Sequence, residues 1–289
     1  VLTQCGYSEP ESLTQAGLEA MLAQERQRTF QEMGGSVLDP RVVQIFQLKY
    51  DYHNAKTLIK GRAMGEDADR LLMAGGRYDP AQLAENFARE TLGETTPAFA
   101  AAVLQAKQLL ADTGDPQLCD LTLDRACYAE LAQLAQETES QFLIGYAALM
   151  TDIANLRAAV RIARMGREND FLAQALMPGG TIEVQTLLNA KGAGLIEAYR
   201  GTALEGAAEL AEKAMGPERG PLTAFEKACD DTLTAYLDGA KSVPFGVEVV
   251  VGYLYAKESE LTAVRTVLSG RMAGLDGELI RSRLRNTYL

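Results

Sequence analysis

A single histidine, His53, limits the acid–base and nucleophilic chemistry open to this chain. Any Ser-His-Asp or Cys-His arrangement, and any imidazole-rich metal site, would have to use it. Its neighbours in sequence are cations and polar groups, and the matching place in a related segment is Ala154, so it reads as a surface side chain. Cys5, Cys119, Cys127 and Cys229 form no C-x-x-C pair and read as buried, reduced thiols filling small core slots, which fits a cytoplasmic protein. Asp230-Asp231 has the look of a metal-binding acidic pair, but Thr232-Leu233-Thr234 follows without a third carboxylate. The phosphate-cradling pattern G-x-x-x-x-G-K-[ST] is absent, and Gly192-Ala193-Gly194 lacks the third glycine of a dinucleotide fingerprint. No catalytic residue, metal site or cofactor site is therefore predicted.

Two further polar pairs stand out because they recur. Asp51-x-x-Asn54 in DYHNAKTLIKGRAMG returns as Asp152-x-x-Asn155 in DIANLRAAVRIARMG, about one hundred residues later. A looser copy, ELTAVRTVLSGRMAG, begins at Glu260. A pair repeated with the architecture reads as structural: a carboxylate and an amide in mid-helix that bond a neighbouring helix end and fix its register. Cations accompany each copy: Lys49, Lys56 and Lys60, then Arg157, Arg161 and Arg164, then Arg265. On a globular helix such a ridge is usually a wet face; three related ridges around one body would also make a shared polar lining.

The elements that must position these residues are helices. Leu48, Tyr52, Ala55 and Ile59 recur at spacings of four, three and four, as do Leu149, Ile153, Leu156 and Val160; Leu261, Val264 and Leu268 follow the same stripe. Each copy ends in a glycine (Gly65, Gly166, Gly274), suited to a left-handed cap. Asp39-Pro40 suits the start of the first stripe helix. Leu123-Asp-Arg-Ala-Cys127 resembles Phe225-Glu-Lys-Ala-Cys229 and, more faintly, Leu18-Glu-Ala-Met21; Gly75-Gly76 matches Gly179-Gly180 and reads as a turn. The Val-rich run after Pro244-Phe245-Gly246 keeps one helical face and reads as the start of a long helix. Thr113–Pro116 and Gly216–Pro221 are the predicted linkers. The predicted domains are helical repeats 1–112, 113–215 and 216–289, the third without room for its Gly-Gly segment, so that it is truncated or completed by another part of the chain.

With 289 residues, 47% of them hydrophobic, the chain is globular. A net charge of −11 argues against nucleic acid as a partner. Arg265, Arg271, Arg281, Arg283 and Arg285 gather near the C-terminus, as a solvated helix or a docking surface for an acidic partner or lipid head groups. No apolar run approaches the ~20 residues that span a bilayer, and no basic start with an apolar middle marks a secretory signal.

The stretch Tyr253-Leu-Tyr-Ala256-Lys257-Glu258-Ser-Glu260…Val264-Arg265…Gly270-Arg271 resembles the C-terminal signature of the C subunit of archaeal and bacterial V/A-type ATPases, a relative of the d subunit of vacuolar ATPases. The two Asp-x-x-Asn motifs and Met177-Pro-Gly-Gly180 are similar to that family's internal motifs, and the resemblance runs from about Leu18 to Leu284. It implies an all-α fold of three similar domains around a pseudo-threefold axis, forming a funnel. It also implies a non-catalytic central-stalk component, set between the rotor shaft of the soluble ATPase and the membrane proteolipid ring, peripheral on the inner face of the membrane. Lys56, Lys60, Arg157, Arg161, Arg164 and Arg265 are then the expected polar lining that holds the shaft. Family members usually carry a further N-terminal helical segment, expected to pack against the incomplete third unit. Two other readings are a helical-repeat scaffold unrelated to ATPases and an all-helical enzyme with an unfamiliar site.

Overall fold

The computed structural model describes residues 7, 14–167, 169–190, 194–216, 220 and 222–285. These form α-helices with two short 3₁₀ turns and, among the described residues, no strand. In chain order the helices are α1 (Gln15–Gly34), α2 (Arg41–Met64), α3 (Pro80–Ala88), α4 (Pro97–Thr113), α5 (Pro116–Glu137), α6 (Gln141–Met165) and α7 (Asn169–Ala175). There follow α8 (Val184–Asn189), α9 (Gly194–Tyr199), α10 (Glu205–Met215), α11 (Leu222–Asp238), α12 (Val247–Met272) and α13 (Gly277–Arg283). Local chemistry sets many of the starts. Thr96, Asp115 and Ser140 each accept a hydrogen bond from a first-turn N–H, and Pro80, Pro97 and Pro116 take the first helical position, where a missing N–H costs nothing.

The three stripe helices are α2, α6 and α12, and they end alike. Gly65, Gly166 and Gly274 lie at φ 69°, 66° and 69°. In each, the glycine N–H reaches the carbonyl three residues back (Arg62, Ala163, Arg271), and the next N–H reaches five back (Gly61, Ile162, Gly270). This is the same Schellman closure three times, and it satisfies carbonyls that the helix leaves without partners.

The chain divides into two compact units, Val1–Glu94 with Ala240–Leu289, and Thr95–Gly239. The first unit holds the stripe helices of the first and third copies; the second unit holds that of the second. In the first unit α12 lies on α1, where Leu18, Met21, Leu22 and Leu261 form a core with Val264 and Leu268 packed against it. The stripe of α2 is buried as expected: Leu48, Tyr52, Ala55 and Ile59 are all at most 4% exposed. In the second unit Leu149, Ile153, Leu156 and Val160 of α6 pack with Tyr199, Ala208, Phe225 and Cys229 from α9, α10 and α11. The units thus do not follow the repeat borders, because α11 opens the third copy but packs on α6.

Helix α6 has the length and, over its most apolar 18 residues, the mean hydropathy (1.2) of a membrane span. The sequence hides this, because Asp152, Asn155 and Arg157 interrupt the apolar run. That window is 61% buried within the protein, as suits the central helix of a core.

Candidate functional site

The paired Asp and Asn residues build two matching latches. On α2, Asn54 Nδ2 donates to the Met73 carbonyl (2.8 Å) and Asn54 Oδ1 accepts from the Met73 N–H (2.8 Å). On α6, Asn155 does the same with Met177, again at 2.8 Å and 2.8 Å. Each amide stands in for a strand partner, satisfying both backbone groups of one residue. One turn earlier, Asp51 Oδ1 accepts from the N–H groups of Arg77 (2.9 Å) and Tyr78 (3.3 Å). Asp152 accepts from the N–H groups of Thr181 (2.9 Å) and Ile182 (3.2 Å). The partner is therefore the Gly-Gly turn, not a helix end. Gly76 and Gly180 are required there: a Cβ on either would collide with the Asp51 or Asp152 carboxylate. Gly75 and Gly179, at φ 106° and 100°, supply the backbone that only glycine adopts freely.

The two carboxylates are compensated differently. Asp51 carries an ion pair from Arg77 Nε (2.6 Å), both side chains being buried. Asp152 instead takes the Thr181 hydroxyl, and Tyr199 donates to its backbone carbonyl (3.1 Å). Burial pushes the Asp51 carboxyl up to about 6, against the pull of Arg77 and the two N–H donors.

A third cluster joins α12 to α1 and α2. The Glu258 carboxylate accepts from Arg26 Nε (3.3 Å), Lys49 Nζ (2.5 Å) and the Tyr50 hydroxyl. Burial alone would raise the Glu258 carboxyl; Lys49, Arg26 and the Tyr50 hydroxyl outweigh it and hold the group below the usual carboxylate range. Tyr50 is pushed up to about 12, chiefly by burial, and stays a neutral donor. Lys257 pairs with Glu25 (3.1 Å) and Glu260 (3.2 Å), and Tyr7 donates to Glu260 (2.5 Å).

The six basic ridge residues divide between the units. Lys56 and Lys60 are half-buried on α2. On α6, Arg157 pairs with Glu226 (2.6 Å) and Asp230 (2.7 Å) of α11, and Arg161 shares Glu226 (2.9 Å). Arg164 donates to the Gly220 carbonyl (2.8 Å). Arg265 on α12 pairs with Glu19 of α1 (2.9 Å). Arg157 and Arg265 hold equivalent places in the repeat, and so do Glu226 and Glu19. The same bond is thus made twice, each time from a stripe helix to the opening helix of another copy.

The other sequence candidates resolve plainly. His53 is exposed, with Nε2 3.2 Å from the Leu71 carbonyl. Asp230 goes to Arg157 and Asp231 to Lys227 (2.8 Å), so the two point to different partners. Cys119 and Cys229 are buried, Cys127 is half-buried, and Cys5 lies outside the described residues, as do most of the 216–221 linker and the Gly192 loop. Burial pushes the Cys229 thiol up to about 12, so it carries no thiolate at neutral pH. Near the C-terminus Arg271, Arg281 and Arg283 are exposed. A cleft of about 840 Å³ in the first unit is lined by Phe30, Gln44, Gln47, Gly76, Arg77 and Tyr78 among others; it borders the first latch, and among the described residues no histidine or cysteine lines it.

Sequence reasoning missed Arg26, Lys49 and Tyr50 as partners of Glu258, and Arg77 and Thr181 as partners of the latch carboxylates. The one signal available was position: Arg77 and Thr181 each follow a Gly-Gly pair directly.

Known proteins match this chain over most of its length. The profile of the family described as ATP synthase (C/AC39) subunit matches residues 1–283. The C subunit of the V-type sodium ATPase of Enterococcus hirae is 24% identical over 270 residues, covering 93% of this chain and 82% of that protein. The C subunit of the A-type ATP synthase of Halobacterium salinarum is 28% identical over 254 residues, covering 82% and 71%. That of Methanothermobacter thermautotrophicus is 23% identical over 286 residues, covering 92% and 73%. With a match that runs through both units, the chain belongs to the ATP synthase (C/AC39) subunit family.

Proposed function

We propose that this chain is the non-catalytic central-stalk component of a V/A-type ATPase, coupling the rotor shaft of the soluble ATPase to the membrane proteolipid ring. In this reading torque passes through it, linking ATP hydrolysis or synthesis to ion movement. The observation that carries it is the family match over residues 1–283, together with relatives that are each named as the C subunit of such an ATPase. The all-helical build supports it, because close-packed helices transmit strain. So does the way polar side chains are spent on holding turns and helices: Asp51, Asn54, Asp152 and Asn155 are bonded to backbone rather than presented in a cleft.

The fuller form of the proposal has three helical domains, 1–112, 113–215 and 216–289, around a pseudo-threefold axis as a funnel. The basic residues Lys56, Lys60, Arg157, Arg161, Arg164 and Arg265 lie on the side that receives the shaft, and the protein stays peripheral on the inner face of the membrane. Electrostatic complementarity of that kind gives orientation and on-rate more than raw affinity. Arg161 is the cleanest probe, since 61% of its side chain remains exposed beside its partner Glu226. The deciding experiment is affinity purification of the tagged chain from native membranes in mild detergent. Shaft and proteolipid subunits are expected to come with it in fixed proportion, and recovery of the chain without either would reject the proposal.

A further inference from the structure

The charges of the half-buried run Lys257-Glu258-Ser259-Glu260 are paired inside the first unit. Glu258 is the centre. Its side chain is 14% exposed and its carboxylate takes three donors from two other helices: Arg26 of α1, and Lys49 and Tyr50 of α2. Arg26 is itself only 4% exposed, and its guanidinium lies over the Tyr50 ring at 4.7 Å; Lys49 Nζ lies 4.9 Å from the same ring. The Arg26 stem also fills the space beside Gly75, where an added Cβ would come within 2.6 Å of Cδ. The cluster therefore reaches the first Gly-Gly turn as well.

Two stripe helices meet at this point. Lys49 and Glu258 sit at corresponding levels of the first and third copies. Helix α12 is fastened to α1 by an apolar core around Leu261, which is non-directional. Its bond to α2 at Glu258 is ionic and directional. The Tyr50 hydroxyl adds a neutral donor from α2, the carboxylate itself being mostly covered, and removing that carboxylate leaves Arg26 and Lys49 facing one another over the Tyr50 ring.

We propose that Glu258 is a positioning residue for torque transfer: it stops α2 and α12 from turning against one another when the protein is loaded. The inference rests on the rotor reading above. Under that reading, torque entering through one copy leaves through another, and slack at the α2–α12 junction appears as ATP hydrolysed without ion movement.

The test uses the assembled ATPase in sealed vesicles, measuring ATP hydrolysis and ion uptake in the same preparation. Glu258→Gln keeps the shape and removes the charge. Lys49→Met removes one donor, on a side chain 53% exposed, and decides the matter if the first variant does not assemble. Leu187→Ala, a core change in the second unit, is the control for lost stability alone. The expected result is retained assembly and hydrolysis, with ions moved per ATP lower by about twofold or more and falling further as the opposing gradient grows. The Leu187→Ala complex is expected to keep the normal ratio. An unchanged ratio in the Glu258 and Lys49 variants, or an equal fall with Leu187→Ala, overturns the proposal. Full coupled transport by a complex lacking the chain altogether would instead sink the rotor reading itself.

Discussion

At the scale of single residues, the buried Asp51 and the half-buried Glu258 respond to acid in opposite senses. Asp51 is raised from its ordinary 3.8 to about 6, chiefly by burial. The folded chain therefore holds that proton more tightly than the unfolded one, so its contribution is complete below pH 3.8 and is lost as pH rises through 6. Glu258 is lowered from 4.5 because Lys49, Arg26 and Tyr50 outweigh its burial; its contribution is present above pH 4.5 and is lost as pH falls further. Urea unfolding of the wild-type chain between pH 3.5 and 7 should show both slopes. Asp51→Asn is expected to remove the decline between 3.8 and 6, and Glu258→Gln the acid loss below 4.5. If the pH profile of Asp51→Asn runs parallel to wild type through that window, Arg77 holds Asp51 ionised and burial is not the dominant influence. Asp51 and Asn54 stand out in the sequence as a repeated pair, and their bonds to the Gly-Gly turn give that pair its structural role. Their partners were not visible, because Arg77 and Met73 lie on an irregular segment whose path depends on tertiary packing.

At the scale of elements, the helix ends were the most legible feature and the cross-links the least. A stop such as Gly65, Gly166 or Gly274 depends on backbone sterics within a few residues, so the sequence alone places it. An ion pair such as Arg157–Glu226 joins helices far apart in the chain, and periodicity reports only that Arg157 is off the apolar stripe. Glycine shows the same division. Nothing stands within 4 Å of a Cβ added to Gly274, so alanine there meets only the strain of φ 69°, about 1 kcal/mol. Gly270 is an ordinary helical residue by φ, yet its Cβ would come within 2.8 Å of Ile280 Cγ1 on α13. Gly270→Ala is therefore expected to cost more than Gly274→Ala, about 1–3 kcal/mol by overpacking, and to loosen α13. Thermal melts compare the stabilities, and hydrogen exchange over Gly277–Arg283 reads the detachment. Equal losses, or exchange at α13 no faster than wild type, would show that Ile280 moves aside freely.

At the scale of the whole molecule, the order of the chain and the order of the packing differ. Three copies of one phrase suggest three consecutive bodies, but compactness gathers the two ends of the chain into one unit and leaves Thr95–Gly239 as the other. The contacts of the third stripe helix account for this gathering of the two ends. Helix α12 covers its apolar face with α1, through Leu18, Met21, Leu22 and Leu261, and ties its charged face to Glu25, Arg26 and Lys49. The N-terminal helix α1 is thus the partner of the third stripe helix. A fragment carrying only residues 1–94 would then expose the face of α1 that Leu261 covers and would leave Arg26 without its carboxylate. Such a fragment is expected to lack a cooperative thermal transition by circular dichroism, and a separately made 240–289 segment added in trans should restore one. The 95–239 fragment is expected to melt cooperatively alone, since its core is drawn from α6, α9, α10 and α11. A cooperative 1–94 fragment that ignores the added segment would mean that α2, α3 and the first latch are self-sufficient. The clasp at Glu258 would then add a segment to an already stable piece instead of completing it.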